Sequence, residues 1–309
     1  MGDELKINSL RQSVIRTLAY YDIFSYPLTA SEVYYNLREN HTTPEDVKRE
    51  LDDLCEDKKI FKNEEFYLLT NDQQFINRRK EGNKIALKKL RTARRMSSFI
   101  SRFPFIRGIL LSGSISKGFM EKGSDIDYFV VTHPNRVWFT RLMLMIFKKI
   151  FLFNSKKSFC INYFVDAETL EIQEKNIFTA TELVTLLPTY GKDIYDELYE
   201  KNIWMKNYFP NFPKRETHEV IDRKNGILKS LLEKVLGKKL GDRIDDFAMS
   251  LFDKFYKLRY KNYDREDFKL AFKFSKKESK HHPKFFQKRV LREFENKIRT
   301  LEDRLKISL

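Results

Sequence analysis

Cysteine is scarce: Cys55 and Cys160 are the only two in 309 residues. With no metal-type partner nearby, they make neither a disulfide framework nor a zinc site. Long hydrophobic runs are missing as well. The most apolar stretch, VWFTRLMLMIFKKIFLF from Val137 to Phe153, is short for a membrane span and holds Arg141, Lys148 and Lys149. Arg141 and Lys148 are seven residues apart and share a helical face. That spacing predicts a mostly buried crossover helix with a narrow polar stripe, in preference to an interfacial membrane helix. The opening MGDELKINSL has no apolar signal region, so a cytoplasmic protein with no transmembrane segment is expected. There is no internal repeat. Negative charge is in deficit, with 59 Lys and Arg against 44 Asp and Glu, a formal charge of +15. This excess suits polyanionic partners (nucleic acid, nucleotides or acidic membrane) or reflects solvated lysines.

What is present supports packed cores. Hydrophobic residues make up 41% and aromatics 14% of the chain, which excludes a disordered composition, and the length allows two or three domains. Ile7 to Tyr21 reads as a helix. In YPLTASEVYYNL, Thr29 is an N-cap with Glu32 three residues later, a capping-box pattern. TTPEDVKRELDDLCEDKKI begins a third helix with Thr43 as cap, Pro44 in the first turn, and Val47, Leu51 and Leu54 on one face. KIFKNEEFYLLT reads as a hairpin turning at Asn63-Glu64. Three helices and a hairpin resemble a winged-helix domain over residues 1–72. The third helix, where a recognition helix would lie, is rich in Glu45, Asp46, Glu50, Asp52, Asp53, Glu56 and Asp57. That balance opposes phosphate neutralisation, so DNA binding by this unit is not expected.

From Phe75 to Arg102 one long helix follows. Lys80, Lys84, Lys88, Arg91 and Arg95 share a face of it, as either a solvated surface or a positive wall for phosphates. Then FIRGILLSGS, SDIDYFVVT and SFCINYFVD read as strands, with the apolar helix before the last of them. That order implies a mixed sheet with helices packed on it, an α+β core over 73–178. Residues 179–309 read as a helical region. Tyr190, Tyr195, Tyr199, Trp204 and Tyr208 are read as core, and His281-His282-Pro283 as a loop before a helix.

The chemistry gathers in SGSISKGFMEKGSDIDYFVVT, residues 112–132. A strand ending in Gly113-Ser114 and entering a helix offers free backbone N–H groups and a hydroxyl to a phosphate. Ser116, Lys117 and Gly118 continue the loop, with Lys117 as a point charge. Gly123-Ser124 makes the return into the next strand. Asp125 and Asp127, two apart on that strand, point to one face, and oxygen ligands so placed suit Mg²⁺.

Gly113-Ser114, then Asp125-x-Asp127 running into an apolar strand, resembles the DNA polymerase β-type nucleotidyltransferase superfamily, with its minimal and aminoglycoside-modifying members. The resemblance covers about residues 75–175. It implies that the Gly-Ser loop, with Ser116, Lys117, Gly118 and Ser124, holds an NTP, with ATP and transfer of AMP expected. It also implies that Asp125 and Asp127 bind two Mg²⁺ ions, and that a hydroxyl on a small molecule, protein or RNA end attacks the α-phosphate and releases pyrophosphate. Such proteins commonly take a third carboxylate from the next strand. Here Asn162 holds that position and cannot take a proton as a carboxylate does. Asp166 lies on the same face but about 13 Å further along. The third acid is therefore absent, displaced, or supplied by the helical region. Two alternatives remain: a nucleotide-binding protein without chemistry, and a winged-helix DNA-binding regulator.

Overall fold

A computed structural model describes residues 2–151, 159–222, 226–264, 268, 272–281 and 285–309. Leu152, Phe153, His282 and Pro283, about which the sequence raised expectations, lie outside the described residues.

The N-terminal unit is built from α1 (Gly2–Asp22), β1 (Leu28–Thr29), α2 (Ala30–Tyr35), α3 (Pro44–Glu56), β2 (Phe61–Asn63) and β3 (Phe66–Leu68). Both helix starts read from the sequence close as capping boxes. The Glu32 carboxylate accepts from the Thr29 backbone N–H at 2.9 Å while Thr29 Oγ1 accepts from the Glu32 N–H at 3.3 Å. Thr43 and Asp46 do the same at α3. The hairpin turns one residue later than expected. Asn63 pairs with Phe66, leaving Glu64-Glu65 as a two-residue turn with Glu64 at φ 55°. The three strands form an antiparallel sheet in the order β1-β3-β2.

This unit does not bury its apolar surface alone. Val14, Ile15 and Leu18 of α1 and Leu51 and Leu54 of α3 share one core with Val290, Phe294, Ile298 and Leu301. Those four residues belong to α11 (Phe286–Leu305), the last helix of the chain. Three short strands and three helices expose more apolar area than they can cover, and a distant helix completes the core.

The long α4 (Gln73–Ile100) leads into the second unit. Its predicted cationic face divides in two. Arg79 is buried, donating to Pro27 O and, at 2.7 Å, to Glu32 Oε1, and Arg78 pairs with Glu121. Lys84, Lys88, Arg91 and Arg95 are exposed. Lys80 of the predicted face pairs with Glu64 of the N-terminal unit, Arg78 and Arg79 beside it clamp that unit, and the rest of the face is solvated.

Beyond α4 come β4 (Ile106–Ser112), the short α5 (Gly113–Ser116), β5 (Asp127–Thr132), α6 (Val137–Phe151), β6 (Cys160–Asp166), α7 (Ile177–Thr185), β7 (Leu187–Tyr190) and α8 (Lys192–Lys201). Then follow α9 (Ile227–Leu236), α10 (Lys239–Arg259), β8 (Phe272–Phe274) and β9 (Glu278–His281). The sheet is mixed and six-stranded in the order β7-β4-β5-β6-β9-β8, with β5 and β6 parallel and the other pairs antiparallel. The strand period of two sorts the side chains. Leu111, Tyr128 and Val130 face a layer of α4, α6 and α10, and Leu110, Phe129 and Val131 face α7 and α8.

The expectation of a helical region over 179–309 is corrected in part here. Three of the six strands, β7, β8 and β9, come from it. Each is three or four residues long and is held by cross-strand pairing rather than by its own propensity, which is why periodicity missed them. Tyr190 and Tyr195 are buried in the core as read. The expectation of a mostly buried α6 holds only for its first half: Arg141 is buried against Phe164 and Phe252 and donates to Tyr256 Oη at 2.6 Å, whereas Met145, Ile146, Lys149, Ile150 and Phe151 are exposed. Among the described residues no helix is long and apolar enough to cross a membrane.

Candidate active site

The site forms where β4 ends and β5 begins. Ser112 is directly opposite Asp127 in the antiparallel pair, so the Gly-Ser turn and the second aspartate meet by register. Gly113 adopts φ 68°, and a Cβ there would lie 2.8 Å from Asp127 Oδ2. Only glycine allows both the left-handed backbone and this close approach of the carboxylate. The loop is braced from behind. The Phe119 ring lies where a Cβ on Gly82 of α4 would be, and the Met120 N–H donates to Gly82 O at 3.1 Å. Arg215 donates to Ser116 O at 3.0 Å.

Of the nucleotide-binding residues expected from sequence, Gly113, Ser114, Lys117 and Ser124 line one cavity. Ser116 does not: it is buried and its hydroxyl donates to Gly113 O at 2.9 Å. Its work is to close the turn of a helix too short to satisfy its own carbonyls. Gly118 is exposed at φ 71°, where it ends that turn.

Asn162 does reach Asp127, whereas Asp125, expected on the same strand, lies two residues before β5 begins. The Asn162 Nδ2 donates to Asp127 Oδ1 at 2.7 Å. The contact depends on a register shift between β5 and β6: Tyr128 pairs with Ile161 and Phe129 with Tyr163, so Asn162 is the extra residue of a bulge. Bulges re-aim a side chain toward a site in this way. Asp166 is elsewhere. It is fully buried, accepting from the Glu168 N–H at 2.7 Å and the Asn135 N–H at 3.0 Å, and it anchors the ends of β5 and β6.

A carboxylate that sequence reasoning did not single out sits in the loop. Glu182, on α7, pairs with Lys117 Nζ at 2.8 Å and accepts from the Gly113 N–H at 3.3 Å. It occupies two groups that the sequence reading offered to a phosphate. Its place in TATELVTLL gave no local signal, because the contact spans 69 residues.

The electrostatics follow. Burial pushes the Asp127 carboxyl up to about 7; the negative charges of Glu182 and Asp125 add to this, and the Cys160 thiol and Lys117 oppose it. Carboxylates are crowded here without enough positive charge, which is the condition a divalent cation relieves. Among the described residues no group of three or more His, Cys, Asp and Glu side chains is placed to hold a metal. Mg²⁺ does not require one, since it is commonly held by one or two carboxylates together with substrate phosphates and water.

Replacing Asn162 by aspartate tests the bulge. Asn162→Asp exchanges a hydrogen bond for repulsion beside Asp127, costing the metal-free protein about 2 kcal/mol. It also adds an oxygen ligand, so Mg²⁺ should raise Tm more for the variant than for the wild type. Equal Mg²⁺ shifts in thermal melts would show that no Mg²⁺ is held beside Asn162.

Residues 94–304 match the family model described as the nucleotidyltransferase domain. Neither the curated proteins nor the solved structures hold a match to the chain.

Proposed function

The chain belongs to the nucleotidyltransferase domain family, whose activity is transfer of a nucleotide group from an NTP, and on that premise we propose that it is an Mg²⁺-dependent enzyme moving AMP from ATP to a hydroxyl. The observation that carries this reading is the convergence at Gly113. Its N–H faces a carboxylate standing where a phosphate would, and its α-carbon lies against Asp127.

The N–H of Gly113, the Ser114 hydroxyl and Lys117 take the β- and γ-phosphates. The donor set fits Mg²⁺ at Asp125 and Asp127, while Asn162, whose Nδ2 donates to Asp127 Oδ1 and whose Oδ1 accepts from the Cys160 thiol, would hold Asp127 in place. Bound there, the ion supplies charge neutralisation for in-line displacement. The acceptor oxygen bonds to the α-phosphorus as the bond to the bridging oxygen breaks, and pyrophosphate leaves with the electron pair. The nucleotide displaces Glu182 from Gly113 and Lys117, and the released carboxylate takes the acceptor's proton. Glu182 thus fills the role left open by Asn162.

We read residues 1–72 as a winged-helix-like unit, a reading supported by its α-β-α-α-β-β order and β1-β3-β2 sheet. A structural or protein-docking role suits it better than DNA recognition, since α3 exposes Glu45, Asp53 and Glu56 against Lys48 and Arg49.

The test uses the four α-labelled NTPs with Mg²⁺ and cell extract, counting protein, RNA and small-molecule fractions separately. Label in one fraction that disappears with Asp125→Asn/Asp127→Asn supports transfer and names donor and acceptor class. Equal label from wild type and variant in every fraction would sink it.

A further inference from the structure

α9 is turned inside out. A helix on the surface of a protein ordinarily faces its apolar stripe to the core and its charges to water. Here the charges face in. Lys229 is buried and donates to Ser101 O at 3.0 Å and to Ile106 O at 2.9 Å, and Glu233 holds Arg107 at 2.8 Å. The apolar residues face out: Ile227, Leu228, Leu231 and Val235 are all exposed.

α10 follows directly and repeats the pattern. On the side turned toward α6 it is fastened by polar contacts. Asp242 pairs with Arg136 at 2.7 Å, and Asp245 accepts from the Phe139 N–H at 2.8 Å. Leu240, Phe247, Leu251 and Leu258 are spaced to share another face of the helix, and all four are exposed. The second half of α6 adds Met145, Ile146, Ile150 and Phe151. Most of the large hydrophobic side chains left exposed among the described residues belong to these three helices. Apolar surface concentrated in this way marks a contact with another body.

We propose that the outer face of α9 and α10, with the exposed half of α6, seats the protein on an anionic lipid bilayer. The apolar side chains enter the headgroup region, and the cations beside them meet lipid phosphates and carboxylates. The proposal stands apart from the transfer reading and survives its failure.

Charge identifies the occupant. The acids of this surface are already engaged: Glu233 with Arg107, Asp242 with Arg136, Asp246 with Lys276 at 2.5 Å and Asp253 with Lys257 at 2.7 Å. Lys234, Lys238, Lys239, Arg243 and Lys254 are exposed and make no ion pair among the described residues. On the helical wheel Arg243 and Lys254 lie only about 20–40° round from Phe247, so they border the apolar stripe. Leu and Phe on one face with Lys and Arg at its margin is the arrangement of helices that lie in the plane of a membrane interface. The long basic side chains reach headgroups while their stems stay on apolar surface.

A second copy of the chain suits the face less well. Two such stripes brought together would set Arg243 and Lys254 near the same cations of the twin, in a chain of formal charge +15. A partner helix would read a single stripe from a groove. These residues are spread over two consecutive helices and part of a third, and a leaflet conforms to such a surface without register.

The experiment floats the full chain with vesicles of phosphatidylcholine containing about one-third phosphatidylserine, and with vesicles of phosphatidylcholine alone. Wild type should bind the anionic vesicles about tenfold or more tightly than the neutral ones, and salt at about 0.5 M should weaken the binding. Leu231→Gln/Phe247→Gln should weaken it about tenfold or more. These side chains are 56% and 65% exposed, so folding is not at stake. Arg243→Gln/Lys254→Gln should cost about tenfold. Lys84→Gln/Lys88→Gln removes the same charge from the exposed face of α4 and should change binding by less than about twofold.

Binding to neither vesicle would overturn the proposal and leave the face to an acidic protein partner. A Lys84/Lys88 variant that loses as much as the Arg243/Lys254 variant would overturn it too, because general charge would then hold the protein. So would a Leu231/Phe247 variant that binds as well as wild type. A wild type that sediments as a dimer, and as a monomer once Leu231 and Phe247 are replaced, would give the face to a second copy instead.

Discussion

Asp127→Asn should abolish nucleotide transfer, lowering the rate at saturating NTP by about a thousandfold or more, the scale on which removal of a preorganised charge-stabilising group acts. The asparagine keeps the shape and can still accept from Asn162 Nδ2, so the fold should survive. The second effect has the opposite sign. The Asp127 carboxyl is raised from 3.8 to about 7, so without metal the folded state holds its proton more tightly than the unfolded chain does. The stability linked to that proton is fully present below the unfolded pKa and is lost as pH rises through the folded value. Metal-free wild type should therefore lose thermal stability between about pH 4 and pH 7. Asp127→Asn should flatten that slope and melt higher than wild type at pH 8. Scanning calorimetry in EDTA across this range checks the sign. A wild type whose Tm rises through the window, or a variant that transfers normally, would remove Asp127 from the centre of the site.

Glu182→Gln should separate binding from chemistry. The residue holds Lys117 at 2.8 Å and the Gly113 N–H at 3.3 Å, so any incoming phosphate competes with it. Removing the charge leaves both groups readier for the NTP, and nucleotide affinity should rise by about threefold to tenfold for a partly exposed pair. Without its carboxylate the acceptor proton has no acceptor on this side, and turnover should fall by about a hundredfold or more. Glu182→Asp should recover part of the rate. The measurements are the Kd of a fluorescent ATP analogue and the rate of label transfer from each protein at saturating NTP. A variant that loses binding and rate together would make Glu182 a support for the loop and nothing more.

Asn162 and Glu182 show why one part of the site was legible in the sequence and another was not. The resemblance placed Asn162 on the strand beside the aspartates, and its Nδ2 meets Asp127, although through a bulge that a regular strand would not include. Glu182 lies in a helix whose local pattern is apolar and ordinary, and nothing near it in the chain distinguishes it from a solvated acid. Ser116 shows the reverse error. Its position in a Gly-Ser loop suggested a phosphate ligand, but the short helix needs its hydroxyl for Gly113 O.

The sequence alone determined what depends on near neighbours. The capping boxes at Thr29 and Thr43, the length of α4, the apolar strands β4, β5 and β6, and the Gly113-Ser114 turn ahead of Asp125 and Asp127 all arise from hydrogen bonds and periodicities within a few residues. Tertiary structure decided what depends on distant ones. It set the pairing of β8 and β9 into the sheet, the burial of Arg79 under the N-terminal unit, the closing of that unit's core by α11, the reach of Glu182 into the loop, and the cavity above it. These contacts join residues dozens to hundreds of positions apart. Each is worth its energy only once the chain has folded around it, so no local stretch needed to carry its mark.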